Sequence, residues 1–249
     1  VTGDQILRGG VNTVTRRGEV VHRPAGAHTP TVHRLLTHLR SRGCAGAPAP
    51  IGFDPEGREI VTFMAGEVHH TLTAALRTPE LVASAGSLLR QLHDASLDFE
   101  PSPADVWMLP PRAPGEVICH GDIAPYNCVV RDGRVVGFFD FDTAHPGPRL
   151  WDVAYAVYRF APLHSPDNPE CLGDPTEQAA MAAIFCEAYG VAPSRELNDL
   201  LIARLRALID YISAQASTGS EAFARHIAAG HRTAYELDLR YLTAQTWWT

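Results

Sequence analysis

The chain has 249 residues, of which 45% are hydrophobic, and a formal net charge of −7. That content suffices for one large domain or two lobes sharing a cleft, and the charge argues against a nucleic-acid-binding surface while mildly favouring a cationic partner. No apolar run reaches the roughly 18 residues of a membrane span, no signal-peptide pattern opens the chain, and five cysteines without a C-x-x-C pair fit a reducing cytoplasm better than a disulfide or zinc framework.

Gly9-Gly10 and Arg17-Gly18 read as turns around strands at Val11–Thr15 and Val20–Arg23. A glycine turn between strands lets backbone N–H groups approach phosphate; an ordinary hairpin fits the same residues. Thr31–Arg42 reads as a helix, with Thr29 as cap, Pro30 in the first turn, Gly43 at its end, and Val32, Leu35, Leu36 and Leu39 as its apolar face. Ala47–Gly52 leads into a strand, Asp54–Gly57 is a turn, and Arg58–Met64 is a strand ending at Ala65-Gly66-Glu67. Leu72–Leu76 reads as a short helical piece. Pro79–Leu97 reads as a helix, because Leu81, Val82, Ala85, Leu88, Leu89 and Leu92 recur at helical spacing. Five prolines make Phe99–Pro114 an extended loop.

The stretch Glu116–Asp152 carries the chemistry. Two short apolar runs, Val117–Cys119 and Asn127–Val130, bracket the polar loop His120–Tyr126. The turn Arg131–Arg134 leads into Val135–Phe139, which ends in Asp140-Phe141-Asp142. Asp122 and Asn127 lie in or beside the first loop, and Asp140 ends the last strand; strand ends are rigid and suit fixed functional groups. A carboxylate and a carboxamide are hard oxygen ligands of the kind Mg²⁺ prefers, with water and phosphate completing its shell. A carboxylate not tied to metal can orient and deprotonate a hydroxyl. Beyond it, Val153–Phe160 continues as a helix, and Pro162–Pro175 is a polar loop carrying Asp167, Glu170 and Asp174. Helices follow at about Thr176–Tyr189, Pro193–Ala216 and Glu221–Leu242. Trp247-Trp248 closes the chain, either docked or as a modest sticky patch.

His120-Gly121-Asp122-Ile123-Ala124-Pro125-Tyr126-Asn127 has the form H-G-D-x-x-x-x-N. It is followed by Phe138-Phe139-Asp140 and then Asp152-Val153-Ala154. In this ordered set the chain resembles the aminoglycoside phosphotransferase-like small-molecule kinases. The resemblance implies an α+β, two-lobed, protein-kinase-like fold. Residues 1–66 would form a small β-rich nucleotide-binding lobe, and residues 67–249 a larger, mainly helical catalytic and substrate-binding lobe. It implies ATP- or GTP-dependent phosphorylation of a small-molecule hydroxyl with Mg²⁺. Asp122 would be the catalytic carboxylate, with Asn127 and Asp140 on the metal. Gly9, Gly10 and Asn12 would cover the nucleotide phosphates, Arg23 would contact them, and Phe63, Met64 and Ala65 would meet the adenine edge. His120 would hold the loop rather than act as a base, and Asp152 would brace the loop or cap the nearby helix.

The chain departs from the family in one place. Arg23 stands where kinases carry a lysine, and the helix that should bring its glutamate partner has none, with His33 near that position. Arginine keeps its charge and can grip phosphate bidentately, with a geometry unlike lysine's. Three readings therefore stand: a kinase, a weak or inactive nucleotide- or ligand-binding pseudokinase, and a metal-dependent hydrolase using His120, Asp122, Asp140, Asp142 and His145. For the kinase, an aminoglycoside-like antibiotic, a sugar, an amino alcohol and a nucleoside are all open as acceptors.

Overall fold

The computed structural model describes residues 5–8 and 13–245. Gly9, Gly10, Asn12 and the Trp247-Trp248 pair lie outside the described residues. The first part is a five-stranded antiparallel sheet of β1 (Gln5–Arg8), β2 (Thr13–Arg17), β3 (Val20–Arg23), β4 (Pro50–Phe53) and β5 (Glu59–Thr62), in the order β1-β2-β3-β5-β4. Helix α1 (Thr29–Ser41) is inserted between β3 and β4 and buries the expected face of Val32, Leu35, Leu36 and Leu39. Thr29 is its first residue rather than its cap, and the Thr29 hydroxyl accepts from the Gly26 N–H at 2.8 Å.

The second part is mainly helical. It comprises α2 (Pro79–Ala95), α3 (Arg149–Phe160), α4 (Pro175–Tyr189), α5 (Arg195–Ser217), α6 (Glu221–Ala228) and α7 (His231–Thr243). Two small antiparallel pairs are set among them: β6 (Val117–Cys119) with β9 (His145–Gly147), and β7 (Cys128–Arg131) with β8 (Arg134–Phe138). The β7–β8 turn is Asp132-Gly133, with φ of 51° and 71°, the conformation a tight twisted hairpin demands. Caps fix the helix starts. Thr78 accepts from the Leu81 N–H ahead of Pro79, and Asp174 and Glu177 form a reciprocal capping box. The core joins α1, α2, the β7–β8 pair, α3, α4, α5 and α7, centred on side chains such as Leu89, Phe138, Tyr158, Phe160 and Phe185. Among the described residues no helix is long and apolar enough to cross a membrane.

Two further sequence expectations are corrected. Leu72–Leu76 is a single turn, held by N–H groups of Leu76 and Arg77 on the Thr73 carbonyl at 3.0 and 2.9 Å. Pro79 drives the preceding Thr78 into extended backbone, so no helix can run through to α2. The last helix is two, because Gly230 adopts φ 87° and breaks it between α6 and α7.

The crossing between the two parts is fixed at Gly66-Glu67. Glu67 and Val130 exchange backbone hydrogen bonds of 2.8 Å each. A Cβ on Gly66 would stand 2.7 Å from the Val130 carbonyl oxygen, so only glycine lets the chain pass this close to β7.

Candidate functional site

The loop between β6 and β7 is held from beneath by Asp152 in the first turn of α3. Its carboxylate accepts from the backbone N–H groups of His120 at 2.7 Å and Gly121 at 3.0 Å, and from His93 Nε2 at 3.1 Å. Of the two roles open to it, Asp152 takes the brace. Burial pushes its carboxyl up, but the hydrogen bond from His93, with the His120 contacts, holds it well below the ordinary carboxylate range. His93 in turn accepts from the Tyr189 hydroxyl at 2.7 Å on Nδ1. His120 also holds the loop. Its Nε2 donates to the Phe139 carbonyl at 3.0 Å, and its Nδ1 accepts from the Asp122 N–H at 3.3 Å. Both ring nitrogens are spent, which leaves it no lone pair for use as a base.

Gly121 has φ 84°, and a Cβ there would stand 2.5 Å from the Thr143 carbonyl oxygen. Gly121→Ala is therefore expected to lower stability by about 2 kcal/mol or more, from left-handed strain plus a backbone clash. Gly133→Ala carries the strain alone, since nothing lies within 4 Å of that site. Thermal melting of both variants checks this: equal losses would mean the close approach at Gly121 costs nothing.

Asp122 is gripped on both oxygens. The Tyr126 hydroxyl donates to Oδ1 at 2.7 Å and Asn127 Nδ2 donates to Oδ2 at 2.9 Å, with a further bond from Nδ2 to the Asp122 carbonyl at 3.0 Å. Tyr126 also meets the Tyr155 hydroxyl at 3.0 Å, and burial pushes both phenols well up. From below, Arg204 on α5, itself buried, donates to the Gly121 carbonyl at 2.6 Å.

Asp140 follows β8 in left-handed backbone, φ 66° and ψ 61°. Such a conformation is uncommon outside glycine, and asparagine and aspartate are the residues that adopt it most readily. Arg23 reaches across from the sheet. Its Nη1 lies 3.0 Å from Asp140 Oδ1, its Nη2 donates to Asp142, and its Nε lies 3.1 Å from Glu59 Oε1. Burial works against the guanidinium's charge, and Asp140, Asp142 and Glu59 outweigh it. Burial also raises the Asp140 carboxyl, Arg23 opposing it. Asp142 is pushed up by burial but held below its ordinary range by His28 and Arg23.

The structure thus brings Arg23, Asp122, Asn127 and Asp140 to one face. It also supplies the acidic partner that α1 lacks. Glu59 sits directly opposite Arg23 on β5, and α1 contributes only His33, 3.3 Å from the other Glu59 oxygen. Phe63, Met64 and Ala65 lie at the end of β5. The Phe63 N–H is spent on the Glu19 carbonyl at 2.8 Å, and the Ala65 carbonyl accepts from Arg131 at 2.7 Å. The Met64 methyl fills the space a side chain at Gly137 would need. The five residues of the hydrolase reading form no metal-ligand set, although Asp140 lies close enough to Asp142, Asp122 and His120 to feel their charges. His145 turns to the Thr143 carbonyl at 2.8 Å, and among the described residues no group of three or more His, Cys, Asp or Glu side chains could hold a metal.

Sequence reasoning missed Glu59, Tyr126 and Arg204. Arg204 left a signal: it is a charged residue inside the apolar stripe Leu197, Leu200, Leu201, Leu205 and Leu208.

Beside the loop lies a cavity of about 310 Å³. Pro125, Thr71–Ala74, Arg159 and, farther along the chain, residues of the segment from Pro162 to Leu172, Glu170 included, line it. The far segment is tied to α7 by Asp238, which is wholly buried. Asp238 accepts from the Tyr158 hydroxyl, the Ser165 N–H and Asn168 Nδ2, each at 2.7 Å, and from His164 Nδ1 at 2.9 Å.

Known proteins resemble this chain in sequence and in fold. The family model described as the phosphotransferase enzyme family (APH) matches residues 103–208. A trifolitoxin immunity protein of Rhizobium leguminosarum bv. trifolii is 38% identical over 192 residues, covering 74% of this chain and 72% of its own. Among solved structures, a choline/ethanolamine kinase family protein from Mesorhizobium loti superposes with TM-score 0.60 at 17% identity, over 98% of this chain and 94% of its own. An amicoumacin kinase solved with AMP-PNP and Ca²⁺ gives 0.65 at 12% identity, over 98% and 90%. Aminoglycoside 2′-phosphotransferase-IIIa, solved with GDP, gives 0.66 at 12% identity, over 96% and 93%. The shared fold is the two-lobed, protein-kinase-like one.

Proposed function

The chain belongs to the aminoglycoside phosphotransferase-like family of small-molecule kinases, and from that premise we propose that it moves the γ-phosphate of ATP or GTP to a hydroxyl of a small acceptor. The observation that carries the reading is the pairing of Asp122, fixed on both oxygens, with Arg23 and Asp140 across the same face. Asp122 orients the acceptor hydroxyl and takes its proton. Arg23 contacts the nucleotide phosphates, and the end of β5 from Phe63 to Ala65 borders the base. The lobes meet at Gly66, with residues 1–66 on the nucleotide side and 67–249 on the acceptor side. Catalysis is positioning and charge neutralisation, with no covalent enzyme intermediate.

The residues fit Mg²⁺. Asn127 gives its amide nitrogen to Asp122, which frees its amide oxygen for a ligand, and the Asp140 side chain is 45% exposed. Mg²⁺ is held by one or two protein oxygens beside phosphates and water, so Asn127 and Asp140 would hold it. When bound, the ion neutralises phosphate charge.

The acceptor class is supported by likeness alone. One relative is named for immunity to trifolitoxin, and the fold's neighbours include kinases of amicoumacin and aminoglycosides. A toxic or antibiotic acceptor fits both, since a phosphate adds charge and bulk that a toxin's own target site must reject. The pseudokinase reading keeps one observation in its favour: Arg23 is paired with Asp140, the carboxylate assigned to the metal.

Calorimetric titration with ATP and GTP, with and without Mg²⁺, followed by an assay of phosphate transfer to hydroxylated acceptors, decides between them. Mg²⁺-dependent binding is expected. Arg23→Met should weaken it roughly 10- to 100-fold, the worth of a charge-assisted contact, while Arg23→Lys retains most of it. Tight nucleotide binding without transfer to any hydroxylated acceptor would favour the pseudokinase.

A further inference from the structure

The cavity beside Pro125 has an unusual floor. Arg159 projects from α3 and lines the cavity, its side chain only 10% exposed. Its guanidinium lies 5.4 Å from the Tyr126 ring centre and 5.7 Å from that of Tyr158, so two aromatic faces fix its plane. Glu170 takes Nη2 at 3.2 Å, and Nε is buried without a hydrogen-bond partner. A buried charged N–H without an acceptor is costly. Tyr126, under this guanidinium, is the residue that donates to Asp122.

The two charges on the cavity wall are not equivalent. Glu170 is 42% exposed and sits toward solvent, where water screens what it can select. Arg159 is desolvated, permanently charged and held flat, the condition in which a guanidinium discriminates best, and its planar fork matches a carboxylate. A polycation entering the cavity would meet that guanidinium at close range in a poorly screened setting. Three lining prolines, Pro125, Pro162 and Pro169, and the Asp238 tether stiffen the walls, so the cavity is preformed.

We infer that the acceptor of this kinase is a small hydroxylated molecule bearing a carboxylate, which Arg159 binds while the hydroxyl reaches Asp122. This rests on the kinase reading above but reverses the cationic preference that the net charge suggests.

The test is calorimetric titration of the purified chain with three probes: N-acetyl-L-serine, its neutral amide, and ethanolamine, with ATP–Mg²⁺ titrated in parallel. The acid is expected to bind at least tenfold more tightly than the amide or the amine, as a charge-assisted pair requires. Arg159→Gln should erase the preference, and Glu170→Gln, which takes a competing carboxylate off Arg159 Nη2, should sharpen it. The wild-type comparison needs no variant, so misfolding of Arg159→Gln cannot rescue the idea. No binding of the acid, equal binding of acid and amide, or ethanolamine binding lost in Glu170→Gln would overturn it. Failure of ATP to bind would overturn the kinase reading instead, because the acid preference is read without nucleotide.

Discussion

Asp122→Ala is expected to abolish phosphate transfer while leaving nucleotide binding intact. A positioned carboxylate that takes a proton from the attacking hydroxyl is worth about 10²- to 10⁴-fold in rate, and no other described side chain takes the same position between Tyr126 and Asn127. His120 cannot substitute, since both its nitrogens are engaged with the loop's own backbone. The variant strips one acceptor from each of Tyr126 and Asn127. That costs roughly 1 kcal/mol of stability per lost bond, a loss the fold survives. Steady-state turnover and ATP titration on one preparation separate the effects. Turnover near the wild-type rate would remove Asp122 from the chemistry.

Asp152→Ala is expected to cost about 3 kcal/mol or more, because it deletes a buried carboxylate and leaves three donors without an acceptor, at roughly 1–3 kcal/mol each. His93 and two loop N–H groups lose the carboxylate at once, in a site with no access to water. Typical domains are stable by about 5–15 kcal/mol, so this is a large share. The loss is pH-dependent. The folded carboxyl titrates below its unfolded value of about 3.9, so its contribution is complete above that pH and fades as pH falls toward the folded value. The gap between wild type and Asp152→Asn, measured by urea unfolding, should be constant from neutral pH to about pH 5 and narrow in stronger acid. A gap that widens in acid would mean the carboxyl is protonated in the folded protein.

The site's core was legible because its information is local. Strand, eight-residue loop, strand and hairpin follow one another within Val117–Phe138, and each is fixed by neighbours in sequence. Glu59 was not legible, because its role comes from lying across the sheet from Arg23, and register between non-adjacent strands leaves no mark in spacing. β9 was missed for a related reason: His145-Pro146-Gly147 has neither strand length nor strand composition and becomes a strand only by pairing with β6. The last helix was read as one because a glycine inside a helical pattern is usually tolerated, and only the backbone angle shows that Gly230 ends α6.

The tether at Asp238 also bears on how the protein comes into being. The segment it pins, Ser165 to Asn168, is separated from it by about seventy positions. On a ribosome adding about 5–20 residues per second, the loop His120–Asn127 and its brace emerge well before α7. Through that interval the cavity has one loose wall. On the proposed reading, a nascent chain would hold its phosphate-side residues in place yet have no formed seat for an acceptor, so selectivity arrives with α7, after the catalytic loop.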